Sequence, residues 1–430
     1  MRSTILSSLV LGILVFFAAV GLLNYYFRPL LQKSTITLGY WGAYRIESIP
    51  EGILAKVSYG LTAVTPQNAI TPAAADRWEI SKDGKVYTFH LKKGQFFHNG
   101  DELTSDSLQY SFQDVSSKKI DRYTVSYTLK EPYAPFIYAV SKPILTKDFS
   151  GLGNYKVKDV SVNGGFVKTM TLVSTKDTTK KERIFFYPTS KALKVAFALG
   201  EVDTAYELMN DSIGTSSLKD WERVETKQYT DYSTMVAVFY SNADDALGNK
   251  KVRQALNYAL PARVENGERS YGPIPPNSIY FEKAPNYGIS DLEIAKTILS
   301  TVDEPIKKPL KISTVEEYKD DAIKIQKAWK NLGVNSEIVI VTEIPSDFQI
   351  LLYRYKLPKD PDQYILWHSA QQNNIVNFKD LRIDKLLEDG RLTTDLAKRK
   401  KIYADFQKYL TDDVPASFYY FPYEYTLSRN

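Results

Sequence analysis

The chain has 430 residues, which at roughly 150 residues per domain predicts two or three domains. Its 55 Lys and Arg against 50 Asp and Glu leave a net charge of +5, which argues against an extended nucleic-acid surface. The absence of cysteine excludes disulfides, thiolate catalysis, iron–sulfur clusters, cysteine-ligated zinc and cysteine-linked lipid anchors.

The first 34 residues carry a long apolar run. Residues 5–23 contain no charge, and as a helix they are just long enough to cross the roughly 30 Å hydrocarbon layer. An aromatic triplet at 25–27 follows, as is typical of a membrane interface. The alternative is a signal peptide that is removed, but the small-residue site at 19–21 would leave two leucines at the new N-terminus. We therefore predict a retained transmembrane helix.

Residues 35–240 predict a β-rich region. Alternating apolar and polar residues predict strands at 86–91, 123–129, 155–162 and 166–173, and β-rich segments predict further strands at 35–40, 78–80, 184–187 and 235–240. Two of these strands form a hairpin around the Asp-Gly turn at 83–84. Thr104 predicts the N-cap of a helix, and further helices are predicted at 190–199 and 250–260.

From about residue 290, helices and strands alternate. The predicted helices are 291–299, 317–332, 381–389 and 393–410, and the predicted strands are 310–314, 336–341, 348–353 and 418–425. This order predicts an α/β lobe around a partly parallel sheet. The Pro-rich residues 271–277 predict a loop or a boundary before it.

The sequence offers no arrangement of residues for catalysis or metal binding. His90, His98 and His368 lie on separate predicted elements without the spacing of metal ligands, so we expect structural roles for them. Carboxylates form no tight pair in an apolar setting, and the glycines at 94–100 lack the lysine that follows a phosphate-binding loop. We therefore predict that the protein is not an enzyme and has no catalytic residue, metal or cofactor.

Aromatic side chains are concentrated near predicted turns. Three groups of candidate cleft residues are Tyr40, Trp41 and Tyr44; Phe239 and Tyr240; and Trp367 beside His368. Burial in the core is the alternative for each of them, because Tyr and Trp dominate buried area wherever they occur. As a group they are compatible with a cleft that stacks on a ligand and forms hydrogen bonds with it.

Several sequence blocks resemble the signature of a known family. They are DGKVYTFHLKKG at 83–94, FHNG at 97–100, LTSDS at 103–107, GEVD at 200–203, VRQALNYAL at 252–260 and DPD at 360–362. Over roughly residues 36–428 the chain resembles the family 5 extracellular solute-binding proteins, the oligopeptide- and dipeptide-binding receptors of bacterial ABC importers.

The resemblance implies a two-lobed α/β fold of the periplasmic-binding-protein type (type II) with mixed sheets, here preceded by the transmembrane helix. We predict a membrane anchor or signal segment at 1–34, lobe I with a hairpin-rich subdomain at 35–240 and an α/β lobe II at 241–410. A C-terminal segment at 411–430 would return to lobe I. The ligand would be enclosed as the lobes close, because a ligand shifts that equilibrium only if it binds the closed state better.

For function, the resemblance implies capture of a peptide or similar polar solute and its delivery to ABC permease subunits. We expect a monomer on the extracytoplasmic side of the cell membrane, attached through residues 5–23, with no nucleic-acid partner. Two other functions stay open. One is a membrane-anchored sensor or chaperone-like protein that keeps the fold without transport, and the other, with the least support, is a secreted hydrolase.

Two departures from the family bear on attachment and on the ligand. The cysteine that carries the lipid of family lipoproteins is absent. Peptide-binding members also carry an acidic residue just before the DPD turn, where it pairs with the α-amino group of the ligand. The matching stretch here is KLPK at 356–359, without an acid. Its two lysines, Lys356 and Lys359, either favour an anionic ligand or face solvent.

By position in the family pattern, seven residues are expected to border the cleft. Trp41 and Trp367 would supply flat apolar walls. Tyr40, Tyr240 and Asn242 would form hydrogen bonds with a ligand backbone or with hydroxyls. The predicted set is Tyr40, Trp41, Tyr44, Tyr240, Asn242, Trp367 and His368.

Overall fold

The computed structural model describes residues 16, 21, 35–214, 216–284, 287–304 and 306–429. Within those residues, no helix is both long and apolar enough to cross a membrane. Apart from Phe16 and Gly21, the predicted anchor at 1–34 lies outside the described residues.

The described residues form twenty strands and nine α-helices. The strands are β1 (Thr35–Trp41), β2 (Thr62–Val64), β3 (Ile70–Pro72), β4 (Ala75–Ile80), β5 (Val86–Leu91), β6 (Val115–Asp121), β7 (Thr124–Leu129), β8 (Tyr155–Asn163), β9 (Phe166–Ser174), β10 (Lys181–Tyr187), β11 (Thr204–Leu208), β12 (Ser212–Ile213), β13 (Ser216–Ser217), β14 (Val224–Thr230), β15 (Thr234–Tyr240), β16 (Gly267–Arg269), β17 (Leu310–Thr314), β18 (Ser336–Ile340), β19 (Ile350–Lys356) and β20 (Ala416–Arg429). The helices are α1 (Glu51–Val57), α2 (Phe136–Ala139), α3 (Ser190–Leu199), α4 (Lys250–Tyr258), α5 (Leu292–Leu299), α6 (Lys319–Leu332), α7 (Tyr364–Trp367), α8 (Leu381–Leu392) and α9 (Leu396–Asp413).

One mixed sheet of twelve strands runs through most of the protein, in the order β18-β17-β19-β15-β20-β11-β1-β10-β9-β8, with β14 and β16 also paired to β20. Strand β1 is parallel to β10 and β11, and β17 is parallel to β18 and β19. The mixed α/β architecture predicted from the sequence is thus present.

The long strand β20 joins two halves of this sheet. Residues 416–422 pair with β15 and β16, whereas residues 423–429 pair with β14 and β11. Because β14 and β15 are consecutive in the chain, residues 231–233 cross from one half to the other beside β20. We call the group around β1, β11 and β14 the first half, and the group around β15, β17 and β19 the second half.

The predicted boundary at residue 240 lies after β15, which pairs along its whole length with β19 of the second half. The chain therefore changes halves at 231–233, before β15. The C-terminal segment pairs with both halves through β20, and does not return to the first half alone. The division into lobes itself stays a prediction.

A separate four-stranded sheet, β4-β5-β7-β6, contains the predicted hairpin. Its turn is closed by hydrogen bonds between Ser81 and Val86, and Gly84 has a φ of 70°, which favours glycine. Tyr87, Phe89 and Tyr127 pack between this sheet and the chain around α2. The sequence was sufficient to predict this hairpin, because the alternation of apolar residues and the Asp-Gly turn both indicate it.

The predicted helix after Thr104 is wrong. Ser105–Ser107 form a short 3-10 turn, after which the chain contains no helix, turns at 113–114 and enters β6. Leu108, Tyr110 and Phe112 pack on the hairpin core at every second residue, which is the periodicity of extended chain. Thr104 favours a helix locally as an N-cap residue. The packing of these alternate residues on the core outweighs that preference.

Helices α8 and α9 enclose a buried ion pair. Arg399 of α9 donates two hydrogen bonds of 2.6 Å to Asp360, the first acid of the DPD turn, and a third of 2.7 Å to the Gly390 carbonyl. Both charged side chains are almost fully buried. Although burial disfavours the guanidinium charge, the hydrogen bonds that Arg399 donates to Asp360, together with the Asp360 charge, keep the pKa of Arg399 above its usual value.

We expect Asp360→Asn to cost about 3–5 kcal/mol of unfolding free energy, because it leaves the Arg399 charge buried without its partner. The measurement is thermal and urea unfolding followed by tryptophan fluorescence. Asp389→Asn is the matched control, since Asp389 forms a half-exposed pair with Lys385 and its loss should cost at most about 1 kcal/mol. Equal losses in the two variants would contradict the prediction.

Candidate functional site

A cavity of about 530 Å³ lies between the two halves of the sheet. It is lined by Trp41, Gly42, Tyr44, Glu207, Met209, Thr234, Val315, Glu317, Tyr318, Thr342, Tyr353, Arg354, Tyr355, Lys356 and Glu424. Its volume falls within the roughly 300–1,000 Å³ of small-molecule sites. The space is therefore suited to a ligand of modest size.

The carboxyl ends of strands create this cavity. Trp41 is the last residue of β1, Met209 follows β11, Val315 follows β17 and Lys356 ends β19. In open α/β sheets, ligands bind outside the carboxyl ends of parallel strands, where loops diverge and leave a crevice. The topology alone thus makes this crevice the candidate binding site.

Two of the predicted residues, Trp41 and Tyr44, line the cavity. The Trp41 indole donates a 2.6 Å hydrogen bond from Nε1 to the Glu207 carbonyl, and the Tyr44 hydroxyl donates one of 3.1 Å to the Trp41 carbonyl. The ring of Tyr44 also packs edge to face on Phe186. These contacts hold both rings in place on the wall of the first half.

Tyr40 lies on the other face of β1, because side chains alternate along a strand. It is buried in the core of the first half and stacks on Tyr206 at 4.9 Å between ring centroids. The structure does not place it among the residues that line the cavity. A contact with ligand stays a prediction for Tyr40.

Four further predicted residues are packed elsewhere in the second half. Tyr240 is fully buried and its hydroxyl lies 2.7 Å from Ser417 Oγ, while Asn242 donates to the Tyr240 carbonyl. Trp367 donates from Nε1 to the Gln363 side chain, and His368 stacks on the ring of Tyr364. None of these four lines the cavity that Trp41 borders, so their ligand contact also remains a prediction.

The two lysines before the DPD turn have different surroundings. Lys356 lines the cavity. Lys359 forms an ion pair with Glu51 of α1, so that it links the second half to the first. Burial raises the pKa of Glu51, but the hydrogen bond and the charge of Lys359 outweigh burial, so that the pKa of Glu51 is lowered.

Arg354 of β19 forms the main polar contact at the crossing. Its Nη2 atom donates to Asp231 at 2.9 Å and to Glu424 at 2.5 Å, and its Nε atom donates to Thr234 at 2.8 Å. Tyr229 of β14 donates to the other oxygen of Glu424. One guanidinium thus ties together both segments that pass between the halves.

Glu207 faces the cavity from an unusual backbone position. Its φ is 59°, at an irregularity where the pairing of β11 with β20 shifts between Ala205 and Leu208. Burial, together with the nearby charges of Glu424 and Asp231, raises the pKa of Glu207 to about 7 against the opposing effect of Arg354. Such a perturbed carboxyl group in a cleft marks a candidate functional residue.

Sequence reasoning missed Glu207, Arg354 and Glu424. The GEVD block ends just before β11. It was the one sequence signal from which a strand ending at the cleft near Glu207 could have been predicted. Arg354 and Glu424 had no local signal, because they meet only through the pairing of distant strands.

Comparison with known proteins gave one family match and many relatives. The model of the bacterial extracellular solute-binding proteins, family 5, matches residues 69–375. The probable D,D-dipeptide-binding periplasmic protein DdpA of Escherichia coli is 22% identical over 83% of this chain and 80% of its own length. The oligopeptide-binding protein AppA of Bacillus subtilis is 24% identical over 79% and 76% of the two chains.

A solved structure has the same fold. The ABC transporter substrate-binding protein CtaP of Listeria monocytogenes superposes with a TM-score of 0.77 at 20% identity, covering 92% of this chain and 94% of its own. At this identity the similarity concerns the fold alone.

We expect Arg354→Met to cost about 3–5 kcal/mol of unfolding free energy at pH 8, because Asp231 and Glu424 lose their largely buried counter-charge. Burial raises the pKa of Glu424, and removal of the cation raises it further. The loss should therefore be smaller at pH 5, where Glu424 takes up a proton more readily.

Thermal unfolding at the two pH values measures this difference. Arg122→Met is the control, since Arg122 pairs with Glu102 on the surface and is 64% exposed. An Arg354→Met deficit that is the same at pH 5 and pH 8 would count against a charge-based role for this residue.

Proposed function

Because the chain belongs to family 5 of the bacterial extracellular solute-binding proteins, we propose that it captures a peptide or similar polar solute for an ABC importer. The observation that carries this proposal is the cavity between the two halves of the sheet. The names of the relatives DdpA and AppA, which are described as binding a D,D-dipeptide and oligopeptides, support a peptide-like ligand.

Capture requires that the two halves open and close around the solute. Two segments alone connect the strands on either side of the cavity in the described sheet, at residues 231–233 and near 422–423 of β20. The ion pair between Lys359 and Glu51 is a contact that opening would break. A solute that touches both walls binds the closed state better, and this difference in affinity drives closure.

The function is proposed as binding without a covalent step. A sensor or chaperone-like protein that keeps the fold would need no open space between the halves. The cavity of about 530 Å³ supports the receptor over that alternative.

We also propose that residues 5–23 anchor the protein in the cytoplasmic membrane, with the two-half body on the extracytoplasmic side. The apolar run is near spanning length, and the aromatic triplet at 25–27 suits an interface. The chain has no cysteine that could carry a lipid anchor, so we assign attachment to the membrane to residues 5–23.

The first experiment on the function is a thermal-shift screen of the full-length chain against peptides, sugars and metal chelates. A solute present at 100 times its dissociation constant should stabilise the protein by about 2.7 kcal/mol, because it binds the folded state alone. No shift with any of the three classes would contradict the proposed function.

Trp41→Ala and Trp221→Ala form a matched pair for the same screen. Trp41 lines the cavity, whereas Trp221 is 40% exposed and lies outside it. Affinity for the solute should fall about tenfold or more in the first variant and stay unchanged in the second, since buried aromatic anchors dominate binding energy.

Membrane attachment predicts that the full-length chain is recovered with the membrane fraction and resists extraction by high salt. Deletion of residues 1–34 should release the body into the soluble fraction, because the only long apolar run of the sequence is then missing. Recovery of the undeleted chain in the soluble fraction would refute the anchor and leave the solute-binding proposal intact.

A further inference from the structure

We propose that the captured solute carries an organic ammonium group, which binds the Glu207 carboxylate between the aromatic side chains of the cavity. This inference rests on the proposed function and specifies its ligand. The stretch before the DPD turn has no acid that could bind a positive charge. In this inference Glu207 at β11 takes that role.

The first support is the balance of charge around the cavity. Its lining contains three carboxylates and two cations, which are Glu207, Glu317 and Glu424 against Arg354 and Lys356. Arg354 is already bound to Glu424 and to Asp231. Glu207, Glu317 and Lys356 are the other charged residues of the lining, and their excess of one negative charge is what an added cation would offset.

The second support is the position of the Glu207 side chain. Glu424, which lines the same cavity on the neighbouring strand β20, accepts hydrogen bonds from Arg354 and Tyr229. Among the described residues, no hydrogen bond or ion pair to the carboxylate of Glu207 is found, and only its backbone carbonyl accepts one, from Trp41. A carboxylate that lines a partly buried cavity in this way has acceptor capacity for a ligand.

The third support is the aromatic lining. Five rings surround the same space, those of Trp41, Tyr44, Tyr318, Tyr353 and Tyr355. The negative faces of such rings attract ammonium groups. Burial also raises the pKa of Tyr44, Tyr318 and Tyr355, so these phenols stay neutral near pH 7. An aromatic wall beside a carboxylate suits an alkylammonium better than a metal ion or a phosphate.

The inference predicts a pH dependence of binding. The titratable and charged groups near Glu207 are Asp231 in the crossing, Glu424 on β20, Arg354 and Lys356 on β19, Glu317 before α6, and Tyr40, Tyr44 and Tyr229. Burial, with Glu424 and Asp231 acting against Arg354 and Lys356, raises the pKa of Glu207 to about 7. Because a bound cation favours the ionised carboxylate, binding releases a proton and strengthens as the pH rises from about 6 to about 8.

The test is calorimetric titration of the full-length chain with matched probes. Trialanine and N-acetyl-trialanine differ in the terminal ammonium, N-acetyl-dialanyl-lysine carries the ammonium on a side chain, and choline carries it as a quaternary group. At least one charged probe should bind about 10- to 100-fold more tightly than the acetylated peptide. Which probe binds identifies the source of the ammonium group.

Glu207→Gln should abolish that preference together with its rise between pH 6 and pH 8, and Glu207→Asp should restore part of it. Glu47→Gln is the control, because Glu47 is an exposed acid outside the cavity lining. The Gln variant should melt no lower than the original protein at pH 8, since a carboxyl group with a raised pKa reduces stability as the pH rises above its unfolded value.

The outcomes separate the inference from the proposed function. If trialanine, N-acetyl-dialanyl-lysine and choline all bind no more tightly than N-acetyl-trialanine, or if a sugar or metal chelate binds and no ammonium probe does, the inference is overturned and a solute receptor is left. An ammonium preference that Glu207→Gln leaves unchanged would also overturn it. Failure of every probe, sugar and chelate to bind would contradict the proposed function and the inference together.

Discussion

The structure depends on the contact of Arg354 with Asp231 and Glu424, where the chain passes between the two halves of the sheet. The two carboxylates belong to the two crossing segments, and the guanidinium comes from β19 of the second half. A largely buried cation of this kind is costly to desolvate, and the hydrogen bonds that it donates to the two acids offset that cost. The contact therefore fixes the position at which the halves meet, and with it the floor of the cavity.

The chemistry of the cavity follows from that arrangement. Because Arg354 is committed to the crossing, its charge is only partly available to Glu207, whose pKa is raised mainly by burial. The irregular pairing of β11 with β20 brings this carboxyl group to the same wall as Trp41. A single sheet continues through both halves. It therefore brings the strand ends, the aromatic rings and the carboxyl group of Glu207 together at one cavity.

Local signals predicted much of the fold, and long-range pairing determined the site. Helix α3 ends at Gly200, as its left-handed φ of 80° requires, and the hairpin follows its Asp-Gly turn. Tyr240 and Trp41 are both aromatic residues at the end of a strand. Tyr240 is nevertheless fully buried, whereas Trp41 lines the cavity. Composition cannot distinguish the two, because the face of a strand that borders the cavity depends on its neighbours in the sheet.

Closure of the halves around a solute would shorten the distance between them, and this distance can be measured in solution. The chain has no cysteine, so a fluorophore pair can be placed at Glu47→Cys and Glu343→Cys, two exposed positions on opposite halves near the cavity. Energy transfer between them should report a shorter distance when a stabilising solute is added to saturation. The same distance with and without bound solute would contradict the account.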